Sequence, residues 1–473
     1  MKKQSAWALF ALVALNSSIV QATEPYNEED AFTTNYREYL GVFGMSPDGT
    51  AALGSSYRTD GDPSFRAYHY LATGGLTYLR NGDGAYPHVV ARGFAGSTIV
   101  GEAGSSSMSL NPAAIGSSWA GRGGALTTTY PLSQFLTEHL EEVAPRSVFR
   151  RGNVGGKAVG RWKLGADLAG SYAPALMSSS GIVELGHLGE YWNTADDAFD
   201  INGSSMVVGV SDNRPFACQF QSGAAGASCP MGSGLGNLLG YEGRRHVMRG
   251  ISDTSTCQPT VAVGQIQDWL QPSAGRGPTG FYCNLVAGPM NTLVCSSGLR
   301  ELPRPAVPAS KIRAGHPAVV VVPTAVSPSG KYIAGYACGG DANGLPTGCD
   351  TLSSASEQLR YFGFVAIWDS VLGLYTMSAL DNLVPAEAGG APSRWRVLSA
   401  QDVNDYGDVG AFACRVPEGS PSSVNCGPIE VGTTYHSIKI SPPRRVAPLS
   451  CKSATSSVLL DSSMQTRCTG IDC

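Results

Sequence analysis

The residues of this chain with the clearest chemical potential are its twelve cysteines, all at or beyond Cys218. Zinc knuckles and thiol redox sites need thiols in close pairs, of the C-x-x-C kind. No such pair occurs, and the tightest spacing is Cys468 to Cys473. An even number of cysteines behind an export signal reads instead as structural disulfides. Cys338 with Cys349, Cys414 with Cys426, Cys218 with Cys229 and Cys283 with Cys295 share a spacing of eleven or twelve residues. That spacing suits the two sides of a hairpin with an enlarged loop, so these four pairs are expected to close. Cys257, Cys451, Cys468 and Cys473 are left over, with three pairings open.

Other groups were weighed for catalysis or binding. His69 and His436 fall at similar points of two predicted strands and could share a face, but packing between sheets is the expected role. Asp60-Gly-Asp62, and Asp341 with Asp350, could each begin a calcium loop, because hard cations take oxygen ligands. Neither brings a full ligand set, and solvated turns are expected. Gly232-Ser-Gly-Leu-Gly236 lacks dinucleotide-binding spacing. Trp119, Trp162, Trp368 and Trp395 are expected to fill core rather than form a sugar platform. There is no His-Glu-x-x-His, no Walker loop and no Gly-x-Ser-x-Gly elbow. The sequence therefore assigns no catalytic residue, no metal ligand and no cofactor.

The elements that must carry any site are organised by Ala325-Val-Ser-Pro-Ser-Gly-Lys-Tyr-Ile-Ala-Gly-Tyr-Ala-Cys338, which reads as strand, tight turn, apolar strand and closing glycine. Pro presets the turn's φ and Gly supplies a positive one. Worn copies run along the chain: Gly44–Gly54, Arg92–Gly101, Arg151–Gly160, Ala198–Gly209, a copy split between Gly250-Ile-Ser-Asp253 and Val261-Ala-Val-Gly264, and Asp402–Gly410. With the first stretch that makes seven. Each is followed by segments alternating apolar and polar residues at period two, such as Arg66–Leu71 and Phe362–Trp368, the mark of half-buried strands. Two strands per half give a four-stranded antiparallel sheet per copy. The predicted architecture is an all-β propeller of seven four-stranded blades, in which radial stacking protects the sheet edges. Leu132–Val143 is the exception, with an apolar face at helical spacing. Inserts around 265–280, 300–318, 339–358 and 415–432 are expected to be surface loops.

Composition agrees. Charged residues make up 15% of the chain and there are 59 glycines, which favours short strands and turns over long helices. The net charge of −4 includes Lys2 and Lys3. Those two lysines, the apolar run Ala6–Leu15 and the small-x-small end Val20-Gln21-Ala22 make a secretory leader. The run is too short to span a bilayer. Cleavage near Ala22 would leave a more acidic mature chain without a basic face, which argues against nucleic acid and anionic membranes as partners. The expected division is 1–22 leader, 23–449 propeller and 450–473 a disulfide-tied tail.

The turn-strand-glycine phrase, followed by a small-aromatic strand and the ending Ile182-Val-Glu-Leu-Gly-His-Leu-Gly189, resembles the bacterial extracellular HAF-type repeat. The namesake tripeptide is replaced by Arg66-Ala-Tyr, Arg214-Pro-Phe-Ala and Gly280-Phe-Tyr. Ser46-Pro-Asp-Gly49 is similar to the turn of Tol-type propeller repeats. The resemblance covers most of 38–449 and implies an exported propeller, without bringing catalytic residues. The reading is a non-enzymatic periplasmic or extracellular propeller that presents loops to an envelope or extracellular protein or glycan. The alternative is a carbohydrate-active hydrolase or lyase working at the channel mouth.

Overall fold

The repeated phrase folds as a hairpin whose turn is closed by its own side chains. In the first copy the Ser46 hydroxyl accepts the Ala51 N–H at 2.9 Å and donates to Asp48 Oδ1 at 2.6 Å, while Gly49 takes φ +69°. The computed structural model describes residues 27–32, 42–58, 64–73, 75–79, 88–96, 98–104, 115–120, 126–129, 148–153, 155–163, 172–178, 181–189, 196–223, 226–254, 259–266, 278–346, 349, 360–384, 393–421, 423, 424, 426 and 435–442. The expected leader, the 132–143 helix, Cys257 and the cysteines of the tail lie outside the described residues. No α-helix occurs among the described residues, which are strands, turns and two 3₁₀ turns at Pro289–Asn291 and Leu380–Asn382. None of their helices is long and apolar enough to cross a membrane.

Strand β1 (Asn27–Phe32) comes first in the chain but pairs with the last strand. The first sheet follows as β2 (Val42–Met45), β3 (Ala51–Arg58), β4 (Ser64–Leu71) and β5 (Gly75–Tyr78). The second is β6 (His88–Ala95), β7 (Thr98–Gly104), β8 (Ile115–Ala120) and β9 (Leu126–Thr129); the third is β10 (Val148–Gly152), β11 (Ala158–Lys163), β12 (Tyr172–Ser178) and β13 (Gly181–Glu184). The fourth has three strands, β14 (Asp197–Ile201), β15 (Met206–Ser211) and β16 (Arg214–Gln219), trailed by a separate pair, β17 (Gln221–Gly223) and β18 (Gly226–Ser228). The fifth is β19 (His246–Ile251), β20 (Thr260–Ile266), β21 (Gly280–Ala287) and β22 (Leu293–Cys295), with β23 (Arg300–Glu301) also on β21. The sixth is β24 (Val320–Val326), β25 (Tyr332–Cys338), β26 (Tyr361–Asp369) and β27 (Leu374–Ala379). The seventh orders as β1, β30 (Tyr435–Ser441), β29 (Val409–Arg415) and β28 (Trp395–Val403). Every pairing is antiparallel.

Each sheet packs on the next: β4 on β6, β7 on β10, β11 on β14, β15 on β19, β20 on β24 and β25 on β28. The series then returns to its start, because β28 and β29 pack on β2. The core lies in the wedges between sheets. Met206 and Val208 meet Met248 and Phe281 in one wedge, and Val365 and Tyr332 meet Trp395 and Val397 in another. At roughly 25 cal/mol per Å² of apolar surface removed from water, this stacking is the main source of stability.

Two regularities shape the sheets. The first strand of each of these seven sheets carries a β-bulge against the second, and the extra residue is Phe43, Arg92, Arg150, Phe199, Arg249 or Thr324 in the first six. Strand β28 shifts register twice, at Leu398 and Gln401. Bulges sharpen the twist and re-aim the strand end. The closing glycines allow close approach in two ways: a Cβ at Gly410 would meet Val42 of the neighbouring first sheet, whereas others face groups of their own sheet. Gly209, Gly264 and Gly335 stand directly across from Phe216, Phe281 and Phe364. A Cβ there would run into that ring and into the carbonyl of Asp197, Val247 or Val322 on the first strand.

Disulfides join Cys218 to Cys229, Cys283 to Cys295, Cys338 to Cys349 and Cys414 to Cys426, with Cα–Cα distances of 5.3, 5.5, 6.0 and 5.9 Å. Four such bonds favour an oxidising compartment. The insert at 300–318 differs from the expected surface loop. Leu302, Val307 and Ala318 are buried in the wedge between the fifth and sixth sheets, and Lys311 is buried as well. Ser310 donates to Asp381 Oδ2 at 2.7 Å. Burial pulls the Lys311 ammonium down to about 8, against the opposing charge of Asp381.

Candidate functional site

Bulge and turn together bring one short stretch from each sheet to a common point. Counting from the bulge, the next residue in the seven first strands is Gly44, Gly93, Arg151, Asp200, Gly250, Ala325 and Asp402, and the turns begin two residues later. Six turns start with a residue whose side chain accepts the N–H that closes the turn. Asn153 accepts from Lys157, Asn202 from Met206, Asn404 from Asp408, Ser46 from Ala51, Ser252 from Val261 and Ser327 from Tyr332. Asn and Ser suit this task because their short side chains reach backbone donors a few residues on. The second sheet has Ala95 at that point and relies on Gly96 N–H donating to the Asn153 carbonyl at 2.7 Å.

The turns are also bonded to one another. Asn153 Nδ2 donates to the Asn202 carbonyl, and Asn202 Nδ2 donates to the Ser252 carbonyl, both at 2.9 Å. Gly203 N–H donates to Asp253 Oδ1 at 2.6 Å, and Asp253 N–H to the Pro328 carbonyl at 2.7 Å. Ser329 N–H donates to Asp405 Oδ1 at 2.6 Å. Two aspartates bridge sheets at the same register: Asp402 Oδ2 accepts the Met45 N–H at 2.6 Å, and Asp200 Oδ2 accepts the Ile251 N–H at 2.9 Å. On the remaining junction Ser55 Oγ accepts the Ala91 N–H at 3.1 Å. Each neighbouring pair of sheets is thus tied by at least one polar bond, at this end for six junctions and further along the strands for the first and second sheets.

Inside the ring of turns lies a cavity of about 230 Å³. Every sheet lines it, each through the residue just before its turn: Met45, Phe94, Gly152, Ile201, Ile251, Val326 and Val403. The turns add Ser46, Asn153, Asn202, Asp253, Pro328 and Asn404, and Asp200 and Asp402 are its deepest residues along the strands. Among the described residues that line it there is no bulge residue. The result is a cup with an apolar belt, an amide and hydroxyl rim, and three carboxylates.

The carboxylates differ. Burial raises the Asp253 pKa, the Gly203 N–H opposes the rise, and the charge of Asp405 adds to it. On the outer rim Asp48 is held below its ordinary value: burial acts upward but is outweighed by the Ser46 and Thr50 hydroxyls and the Thr50 N–H. Among the described residues no group of three His, Cys, Asp or Glu is disposed to hold a metal ion.

The residues singled out by sequence lie elsewhere. None of the eight paired cysteines lines the cup. Cys338 and Cys414 close the far ends of β25 and β29, away from the turns. His69 stands edge-on to Phe94, with centroids 5.8 Å apart, and His436 is T-shaped against Trp395 at 5.2 Å; both histidines are buried. Asp341 Oδ1 accepts the N–H groups of Asn343 and Leu345, both at 2.9 Å, as in a capped turn; Asp60, Asp62 and Asp350 are outside the described residues. Trp395 fills a wedge, Trp368 packs on Tyr375, and the side chains of Trp119 and Trp162 are not among those described. Asp200, Asp253 and Asp402 carry no motif. Asp200 and Asp402 share one position, two residues before the turn, and Asp253 lies one residue into its own turn.

No family model matches the sequence, and no curated protein matches it. Solved structures align loosely. A Lactobacillus plantarum protein covers 82% of this chain and 99% of its own at 11% identity, with a TM-score of 0.35. A mutant of AofleA from Arthrobotrys oligospora covers 75% and 90% at 7% identity and 0.32, and a Bombyx mori GH32 beta-fructofuranosidase 93% and 97% at 10% and 0.31. Likeness this slight assigns the chain to none of them.

Proposed function

We propose that this chain is an exported seven-bladed β-propeller of the HAF-repeat kind, acting as a non-enzymatic binding protein that takes its ligand in the cup. The observation that carries the reading is the convergence of seven equivalent strand ends on one cavity with apolar walls and a polar rim. Small-ligand sites have that composition, a mostly apolar lining with a few placed polar groups. The carboxylates also speak for binding over catalysis. Asp200 and Asp402 each hold a backbone N–H of the next blade, so they serve the ring as clips.

The hydrolase alternative keeps one specific support, the Asp253 carboxyl raised by burial within the cup, since a raised carboxyl is what a general acid needs. Two measurements on the mature protein separate the readings. Crosslinking capture from its own envelope fraction should recover a partner or glycan, and a polysaccharide turnover panel should show no hydrolysis. Turnover abolished by Asp253→Asn, with no captured partner, would replace the binding protein with an enzyme.

A further inference from the structure

We infer that the outer edge of the sixth sheet pairs with the same edge of a second copy of this chain. The outermost strand there, β27, runs Leu374-Tyr-Thr-Met-Ser-Ala379. It has six residues, no charge and no proline, and its register against β26 is unbroken. Sheet edges are guarded against other strands by brevity, charge, bulges or cover, and the other outer strands have such guards. Strands β5, β9 and β13 have four residues each, and β22 has three. Strand β1 has six, but it holds Glu28, Glu29 and Asp30 and is bulged between Glu29 and Ala31. Strand β16 ends the fourth sheet, where the Leu235 N–H donates to its Pro215 carbonyl and Phe216, Ala217 and Cys218 are buried. On β27, by contrast, Leu374 and Thr376 are exposed, and among the described residues the strand pairs only with β26.

The apolar surface continues past both ends of this edge. At the turn end the hairpin tip leaves Val371 90% and Leu372 59% exposed, and Asp369 Oδ1 holds the tip by accepting both their N–H groups, at 2.8 and 3.1 Å. At the other end Ser310 is bonded to Asp381, two residues past β27, and Ile312, two residues on from Ser310, is exposed. Apolar side chains this exposed and this clustered mark an interaction surface. A second copy is the occupant that suits both ends, because a two-fold joint uses one patch twice. An axis through Thr376 sets Leu374 across from the partner's Ser378 and carries each hairpin tip toward the partner's Ile312. The axis falls on uncharged residues, so neither copy meets its own charge. The same joint at β1 would set Glu28, Glu29 and Asp30 against their copies, and like charges directly opposite are destabilising. A six-residue edge is about 20 Å long. With its two end contacts it makes a small interface beside the roughly 800 Å² per partner of standard complexes, so the pairing is reversible and depends on concentration.

The test is sedimentation velocity of the full mature protein across a wide concentration range, with two substitutions at the exposed Thr376. The native protein is expected to shift reversibly from one copy to two as concentration rises. Thr376→Lys should raise the dimer dissociation constant at least about tenfold, since it sets two ammonium groups across the axis; an unchanged melting temperature is the control for folding. Thr376→Cys should give a disulfide-linked dimer on a non-reducing gel, since directly opposed residues hold their Cβ atoms about 4.5–5.5 Å apart, close to disulfide reach. Leu239→Cys, exposed beside the wedge of the fourth and fifth sheets, should not. A protein that stays a single copy at every concentration, or a dimer that Thr376→Lys leaves intact, overturns the inference. So does a Thr376→Cys protein that crosslinks, in its own envelope fraction, to a different polypeptide or to the cysteines of its own tail, since the edge then belongs to a foreign strand or to residues 450–473.

Discussion

Gly335 shows how much one missing side chain decides. Its backbone lies against the Val322 carbonyl and under the Phe364 ring, and the same triangle recurs at Gly209 and Gly264. Gly335→Ala is expected to lower stability by about 1–3 kcal/mol, the usual range for overpacking, read as a drop in the urea midpoint. His436 makes the opposite case. Its two ring nitrogens are buried without hydrogen-bond partners, and burial, with Arg415 adding to it, pushes its pKa below the ordinary histidine value. Burial likewise depresses His246, whose ring accepts the Leu238 N–H at 3.1 Å and faces the Arg244 carbonyl at 2.7 Å. A base with a lowered folded pKa binds fewer protons folded than unfolded, so the stability linked to it is complete above about pH 6.5 and is lost as pH falls below that value. Urea midpoints measured from pH 7.5 to 5 should therefore decline. His436→Phe should reduce that decline and leave stability at pH 7.5 unchanged or higher, because replacing an unsatisfied buried polar ring by an apolar one relieves its desolvation.

The hairpin phrase was legible because its chemistry is local. Ser46, Asn202 and Ser327 bond within a few residues of themselves, and Pro and Gly announce the turn. The bulges were not legible: Phe43, Arg92 and Thr324 are of three different types, and a bulge is defined by register against a partner strand. Nor was the burial of 300–318, which depends on the wedge that receives Leu302 and Val307. The cysteine spacing followed from hairpin geometry, and the bonds close long loops at strand ends. Replacing Cys414 and Cys426 together by Ser should cost about 3 kcal/mol in the loop-entropy account, seen as a lower melting temperature that reductant no longer changes at that site. Arg396, whose guanidinium holds the Val424 carbonyl at 2.6 Å and the Pro421 carbonyl at 3.1 Å, should keep that loop partly ordered.

At the scale of the molecule, the cup could not be read from sequence at all. Asp200 and Asp402 acquire a common setting only when the last sheet meets the first, and that last sheet is completed by β1. Asn27 pairs with Ser441, and Phe32 with Ser437, so a strand from the start of the chain completes the last sheet. Removing residues 23–32 should leave β30 with an open edge, which invites pairing with other chains. The truncated protein is expected to elute as aggregates in size-exclusion chromatography and to lose its cooperative melt, whereas a single sharp monomer peak would show that β1 is dispensable. The same pairing sets a timetable for biogenesis. The ring's last joint needs both β1, which starts at Asn27, and β30, which ends at Ser441, so a chain that has not yet reached β30 cannot finish folding. Closure must wait until both ends are on the same side of any barrier the polypeptide crosses. Until then the first sheets stand as an open, slow-closing stack of high contact order, the interval in which a chaperone would have the most to hold.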